Sequence, residues 1–127
     1  MAITFTVVQR KNPQKPTAAP KYYANIVGEG KTTLADLAKH AAATSTVSKA
    51  DILAVLESTF TQIAEDVADG KIVYVGEYFT LQAGGSSAPA DSPQEVTAAS
   101  IKSLRTIFRP GKMIRDALKV AEFHKKG

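Results

Sequence analysis

The 127-residue sequence predicts an α+β domain, in which a helix-turn-helix pair is followed by an antiparallel sheet with an arm and a short C-terminal helix. An N-terminal β extension precedes these elements. Two observations predict the helices, because apolar residues recur at helical spacing after Thr33 and again after Ser48. A third observation predicts the sheet, because strand-like apolar runs flank a segment rich in Gly, Ser, Ala and Pro.

The N-terminal extension is predicted to be a wide β-hairpin. Residues 3–8 alternate apolar side chains with threonine, and residues 22–27 form a second strand-like run. Three prolines between the two runs exclude a helix and favour an extended loop. Whether this loop is a binding element or simply a solvated connection stays open. It carries the cations Arg10, Lys11, Lys15 and Lys21.

The two helices have recognisable start and stop signals. Thr33 is expected to cap the first helix, with Asp36 three residues later in a capping-box arrangement, and this helix is expected to end near Ala43. Ser48 is expected to cap a second helix, which ends at Gly70. Its apolar arc is wide for a lone helix on a small domain, which predicts a partner chain. The expected dimer core consists of Ile52, Leu53, Leu56, Phe60 and Ile63.

The second half of the chain begins with strand-like segments. Residues 71–75 and 78–81 predict a strand that is interrupted at Gly76, where a glycine is typical of a bulge or a close backbone approach. Residues 83–92 predict a flexible loop or arm because they are small and polar. Residues 101–108 predict a further strand.

A junction between this strand and a terminal helix is expected at residues 108–112. Pro110 suits the first helical turn, where a missing N–H is tolerated and the fixed φ already fits a helix. Gly111 allows another backbone to approach closely. Val120 and Phe123 are expected to continue the apolar side of the helix.

The charge of the chain is concentrated at its two ends. Residues 1–31 and 101–127 carry net charges of +4 and +6, whereas residues 32–70 and 71–100 carry −4 and −2. Basic ends around an acidic middle indicate a polyanionic partner more than an acidic small molecule. The terminal helix could also be an ordinary amphipathic helix with a solvated basic face. The cations that share this face by their spacing are Lys112, Arg115 and Lys119.

Several function classes are disfavoured. The absence of cysteine excludes disulfides and zinc–thiolate sites, and no apolar run approaches the roughly 20 residues of a membrane span, so a cytoplasmic protein is expected. Residues 25–32 resemble a phosphate-binding loop, but Asn25 replaces its first glycine. His40 and His124 lie far apart, and no catalytic set or metal-ligand spacing accompanies them. We therefore expect no enzyme activity, cofactor, metal site or small-molecule substrate.

The order of elements, with Phe-Arg-Pro-Gly-Lys before the terminal helix, resembles the HU/IHF family of histone-like, DNA-bending proteins over residues 32 to 122. Its motifs are matched at residues 47–51, Gly70, Val75-Gly76 and residues 108–112. Residues 7–16 and Tyr22-Tyr23 further resemble a divergent HU-like branch with an extra N-terminal hairpin. The predicted domains are a hairpin extension (1–31), an HU-like domain (32–122) and a basic tail (123–127).

The resemblance implies a sequence-tolerant, nucleoid-type protein that binds and condenses double-stranded DNA. In that family the first two helices pair across a two-fold axis, and the arms and a basic saddle hold the DNA, so a homodimer is expected. Phe79 and Leu81 depart from the family's strand motif. The expected DNA contacts are Lys102, Arg105, Arg109, Lys112, Arg115, Lys119, Arg10, Lys11 and Lys15.

The arm departs most from the family pattern, in which a proline at a basic arm tip wedges between base pairs. Here Pro93 occupies the similar position, but Asp91 and Glu95 flank it, and no cation lies between Lys71 and Lys102. Phosphate would repel such an arm, so we do not expect DNA binding to depend on Pro93. The alternative is an interaction module that kept an HU-like fold and lost most of its DNA affinity.

Overall fold

A computed structural model describes residues 2–127, which adopt the predicted α+β class with three α-helices and two three-stranded sheets. The helices are α1 (Leu34–Ala43), α2 (Lys49–Ala68) and α3 (Lys112–Lys119). The strands are β1 (Ala2–Arg10), β2 (Lys21–Val27), β3 (Val73–Val75), β4 (Phe79–Ser87), β5 (Ile101–Pro110) and β6 (Glu122–Lys125). The chain divides into two compact units. We call Thr33–Asp116 the helical unit, and the residues on either side of it the hairpin unit.

The hairpin unit is built on a sheet with the strand order β2-β1-β6. Strands β1 and β2 pair antiparallel, with Arg10 opposite Lys21 at the loop end, so the predicted hairpin is confirmed and is longer than expected. Strand β6 pairs parallel with β1, with Ala2 opposite Glu122. Phe123 therefore lies in a strand, and the prediction that it extends the terminal helix is wrong. The segment 123–127, expected to be a basic tail, contains most of β6.

Helix α1 of the helical unit begins with the predicted capping box. The backbone N–H of Thr33 donates to Oδ2 of Asp36 at 3.0 Å, and the backbone N–H of Asp36 donates to Oγ1 of Thr33 at 3.2 Å. The hydrogen bonds from the Thr33 backbone and hydroxyl lower the pKa of Asp36, and the charges of Lys39 and Lys49 lower it further. The box satisfies amide groups that a helix start otherwise leaves without a partner.

Helix α2 also has the predicted bounds. Oγ of Ser48 accepts a hydrogen bond from the backbone N–H of Asp51 at 3.2 Å. After Ala68 the chain turns through Gly70, whose φ of 83° is the left-handed conformation that favours glycine at a helix end. Local capping signals in the sequence therefore fix both ends of this 20-residue helix.

The second sheet has the order β3-β4-β5, with antiparallel pairing throughout. Gly76, at φ 55°, lies in a tight turn that the backbone N–H of Tyr78 closes by donating to the carbonyl oxygen of Val75 at 3.0 Å. The predicted interruption of one strand is therefore wrong, because the chain reverses there and forms a hairpin. Strand β4 also runs on to Ser87, so the first half of the segment predicted as a loop is strand.

Apolar burial in the described chain is sparse. Among residues 2–127, Ala38 of α1 is the one apolar residue that is buried, at 0% exposure. Helix α1 packs on α2, and α2 also contacts β3 and β4. The ring of Phe60 on α2 nevertheless stays 43% exposed. Within the described residues, no helix combines the length and the apolar character that a membrane crossing requires.

Candidate nucleic-acid interface

The junction between β5 and α3 is held by the backbone of the β3–β4 turn. The N–H of Gly111 donates to the carbonyl oxygen of Tyr78 at 2.8 Å, and the N–H of Met113 donates to the carbonyl oxygen of Glu77 at 3.1 Å. A Cβ on Gly111 would overlap the backbone of Glu77. The predicted close approach at Gly111 is confirmed. Pro110, however, is the last residue of β5 and not part of the first helical turn, so that prediction is wrong.

The cations of β5 are arranged by the alternation of the strand. Arg105 and Arg109 share one face of the sheet, since side chains four residues apart on a strand point the same way. Nη1 of Arg105 donates to the carbonyl oxygen of Gly85 at 3.2 Å, which fixes its guanidinium against β4. Lys102 lies where the register shifts next to Ser86, so it stands at a bulge.

The first turns of α3 add Lys112 and Arg115, but Lys112 is not an isolated cation. Its Nζ lies 2.7 Å from Oδ2 of Asp116, an ion pair between residues one helical turn apart. Sequence reasoning missed this pair, although the spacing of four residues indicates it. The structure thus brings five of the expected DNA contacts into the helical unit, all of them exposed. We call them the junction surface: Lys102, Arg105, Arg109, Lys112 and Arg115.

The remaining cationic candidates lie in the hairpin unit. Lys119 ends α3 within that unit. Arg10, Lys11 and Lys15 line a cleft of about 670 Å³ at the loop end of the β1–β2 hairpin. The cleft is also lined by Lys21 and Tyr23, which sequence reasoning did not predict as site residues.

The arm (residues 83–100) is ordered by hydrogen bonds. The N–H of Ala88 donates to the carbonyl oxygen of Ser100 at 2.7 Å, and Pro93 begins a single exposed 3₁₀ turn. Oε2 of Glu95 accepts a hydrogen bond from the backbone N–H of Asp91 at 3.3 Å, so both carboxylates belong to the tip. The exposed end of the arm is therefore acidic, as the sequence indicates.

An apolar groove of about 660 Å³ lies in the helical unit between α2 and the second sheet. Phe60 and Ile63 of the predicted dimer core line it from the helix, and Leu81 and Leu104 line it from the sheet. Leu104 is 76% exposed, an unfavourable position for a large apolar side chain in water. The other predicted core residues are each partly exposed: Ile52, Leu53 and Leu56.

The family of the chain agrees with this architecture. The sequence matches the HU-HIG family, an HU domain fused to wHTH, Ig, or Glycine-rich motif, over residues 1–125. The fold is similar to that of a candidate bacterial DNA-binding protein from Bacteroides vulgatus ATCC 8482, with a TM-score of 0.67 and 17% sequence identity. That similarity covers 98% of this chain but 48% of the other, so the chain spans about half the length of that protein. No curated protein matches the sequence. The match over nearly the whole sequence shows that the chain belongs to the HU-HIG family.

Proposed function

We propose that the chain binds double-stranded DNA with little sequence preference, as a histone-like architectural protein of the nucleoid. The observation that carries this proposal is the junction surface, a set of five exposed cations distributed along β5 and the first turns of α3 in an HU-HIG chain. Cations at such a surface bind phosphate, which is the same in every sequence. DNA affinity should therefore vary little with sequence and should fall as salt rises.

The proposed active form is a homodimer with the HU/IHF arrangement. The groove beside Phe60 supports it, because a helical unit with so little buried apolar surface gains stability when a second copy covers this face. Two-fold pairing through α2 would place two junction surfaces on one assembly. The DNA would then lie along a doubled basic track.

The rest of the functional assignment follows from this proposal. We assign the chain no catalytic activity, cofactor, small-molecule substrate or membrane partner, and we place it in the cytoplasm on the nucleoid. The division into a hairpin extension (1–31), an HU-like domain (32–122) and a basic end (123–127) stays part of the proposal.

A second candidate function is an interaction module with little DNA affinity. The acidic tip of the arm favours it, because Asp91 and Glu95 would repel a DNA backbone. The ion pair between Lys112 and Asp116 points the same way, because it lowers the positive charge of the junction surface. This candidate predicts a dimer that binds protein and leaves random-sequence duplex unbound.

The deciding experiment is a salt titration of binding to random-sequence duplex DNA. Each phosphate contact contributes about 0.9 to the slope of log affinity against log salt. If Lys112 and Arg115 of both protomers touch phosphate, the double variant Lys112→Ala/Arg115→Ala should flatten the slope by about 3–4 units. The matched control, Lys31→Ala/Lys125→Ala, removes the same charge from the hairpin unit and should keep the larger slope.

Two outcomes would favour the interaction module. One is equal slopes for the unmodified protein and the junction variant. The other is no duplex binding by the unmodified protein even at low salt. Circular dichroism of each variant keeps a folding defect from being taken for a binding defect.

A further inference from the structure

Among the described residues, the lining of the cleft at the loop end of the hairpin contains four cations and no carboxylate. No Asp or Glu occurs before Glu29, whereas Arg10, Lys11, Lys15 and Lys21 all line the cleft. Within residues 2–127, no carboxylate forms an ion pair with any of the four. An anion is therefore the natural occupant of this cleft.

The pairing register places two of these cations in direct opposition. Arg10 lies opposite Lys21 in the antiparallel ladder, so both side chains emerge on the same face of the hairpin. Like charges in such a cross-strand pair destabilise the strands that carry them. A local arrangement that opposes folding is typical of a functional site, and a bound phosphate would turn this repulsion into attraction.

An aromatic ring completes the cleft. Tyr23 lies two residues beyond Lys21 on the same face, and Cζ of Arg10 lies 5.9 Å from the centroid of its ring. The ring is about half exposed. The guanidinium of Arg10 lies over one face of this ring. Single-stranded nucleic-acid sites combine such cation–π contacts with aromatic rings on which bases stack and with cations that meet the phosphates.

The loop around the cleft has a defined shape. Oδ1 of Asn12 accepts a hydrogen bond from the N–H of Gln14 at 3.0 Å, and the N–H of Lys15 donates to the carbonyl oxygen of Asn12 at 3.1 Å. A second turn follows, closed by the N–H of Ala18 on the carbonyl oxygen of Lys15 at 2.9 Å. Lys11 and Lys15 thus stand on a preorganised loop, and Arg10 and Lys21 stand on the strand ends beside it, which reduces the entropy lost on binding.

We infer that this cleft is a binding site for unpaired nucleotides of single-stranded nucleic acid, separate from the junction surface. Tyr23 stacks a base, and Arg10, Lys15 and Lys21 bind the flanking phosphates. In duplex DNA the bases are stacked on one another, so a continuous duplex offers no free base for the ring of Tyr23 to stack on. The inference does not require duplex binding by the helical unit, because every residue of the cleft lies in the hairpin unit.

The test measures the anisotropy of a fluorescein-labelled oligothymidine at low salt. Tyr23→Ala should weaken binding by about 5- to 100-fold, the effect of losing one stacked base, whereas Tyr23→Phe should bind almost normally. The matched control is Tyr22→Ala, which removes the neighbouring ring, on the opposite face of the strand and outside the cleft. Its affinity should equal that of the unmodified protein.

Charge and ligand controls complete the design. Lys15→Ala should weaken oligothymidine binding more than Lys31→Ala, and Lys112→Ala/Arg115→Ala should weaken it by a smaller factor than it weakens duplex binding. Equal losses in Tyr22→Ala and Tyr23→Ala would overturn the inference, as would no binding by the unmodified protein. Thymidine monophosphate that bound as tightly as the oligonucleotide would overturn the assignment to a polymer.

Discussion

The backbone N–H of Gly111 donates a 2.8 Å hydrogen bond to the carbonyl oxygen of Tyr78, and this bond ties the start of α3 to the turn before β4. The contact is between main chains, so it depends on the absence of a side chain at Gly111 and not on the identity of its neighbours. The position of Lys112 and Arg115 is thereby set by backbone geometry. A basic surface built in this way keeps its shape when its exposed side chains change.

Replacement of Gly111 by Ala should lower the free energy of unfolding by about 1–3 kcal/mol, because the added Cβ meets the backbone of Glu77, which cannot rotate away. Urea denaturation measures the change. Gly28→Ala is the control, since a Cβ there meets no atom within 4 Å, and its stability should stay near that of the unmodified protein. Equal stability of the two variants would contradict the close contact at Gly111.

Removal of the Phe60 ring should separate the proposed dimer. If a second copy fully buries this ring, Phe60→Ala should cost roughly 3–5 kcal/mol, most of the stability of such a domain. Sedimentation would then show monomer at concentrations where the unmodified protein and Ser58→Ala are dimers. A stable, folded monomer of the unmodified protein would refute dimerisation through α2.

The arm should contribute little to duplex affinity. We expect Pro93→Ala to bind random-sequence duplex almost as the unmodified protein does, because the acidic tip keeps the proline away from the bases. Asp91→Arg/Glu95→Arg should bind more tightly, since it removes repulsion and adds phosphate contacts. A mobility shift at low salt measures both. A large loss of affinity in Pro93→Ala would mean that the arm does enter the DNA.

The ion pair of Lys112 with Asp116 should restrain DNA binding. Asp116→Asn keeps the shape of the side chain but removes its charge, so we expect tighter duplex binding and a steeper dependence on salt. Glu122→Gln removes one negative charge outside the junction surface and should have a smaller effect. If both variants bind alike, total charge governs affinity and the local pair does not.

The capping box predicts a particular acid sensitivity. The pKa of Asp36 is lowered from its ordinary value of 3.8, chiefly by the hydrogen bond from the Thr33 backbone, so the folded state favours the charged carboxylate. The stabilisation from this group is complete above the unfolded pKa and is lost as the pH falls from about 4 through the folded value. Asp36→Asn should therefore show a weaker loss of stability in that range than the unmodified protein, by urea denaturation at each pH. Unchanged pH dependence would contradict this role.

Features determined by a few neighbouring residues could be predicted from the sequence. The box at Thr33, the cap at Ser48 and the left-handed end at Gly70 each depend on contacts within one turn, so the helix bounds are confirmed. The close approach at Gly111 could also be predicted, because a residue without a Cβ lets another backbone come close.

Features that depend on distant partners could not be predicted. Phe123 continues the apolar period of α3, but pairing with β1 places it in a strand, and no local pattern carries that information. Pro110 likewise fits a helix start by its φ, yet the pairing of β5 with β4 extends through it. The cleft beside Tyr23 arises from the register of two strands, which sets side by side residues that are more than ten positions apart.

The parallel pairing of β1 with β6 has a consequence for synthesis of the protein. Strand β1 leaves the ribosome before Glu122, which lies opposite Ala2, because the whole of the helical unit is translated between them. Until then one edge of β1 has no partner, and an unpaired strand edge invites association with other nascent chains. We therefore expect the sheet of the hairpin unit to be completed only after the helical unit has folded. The yield of folded protein should then depend on how quickly translation reaches β6.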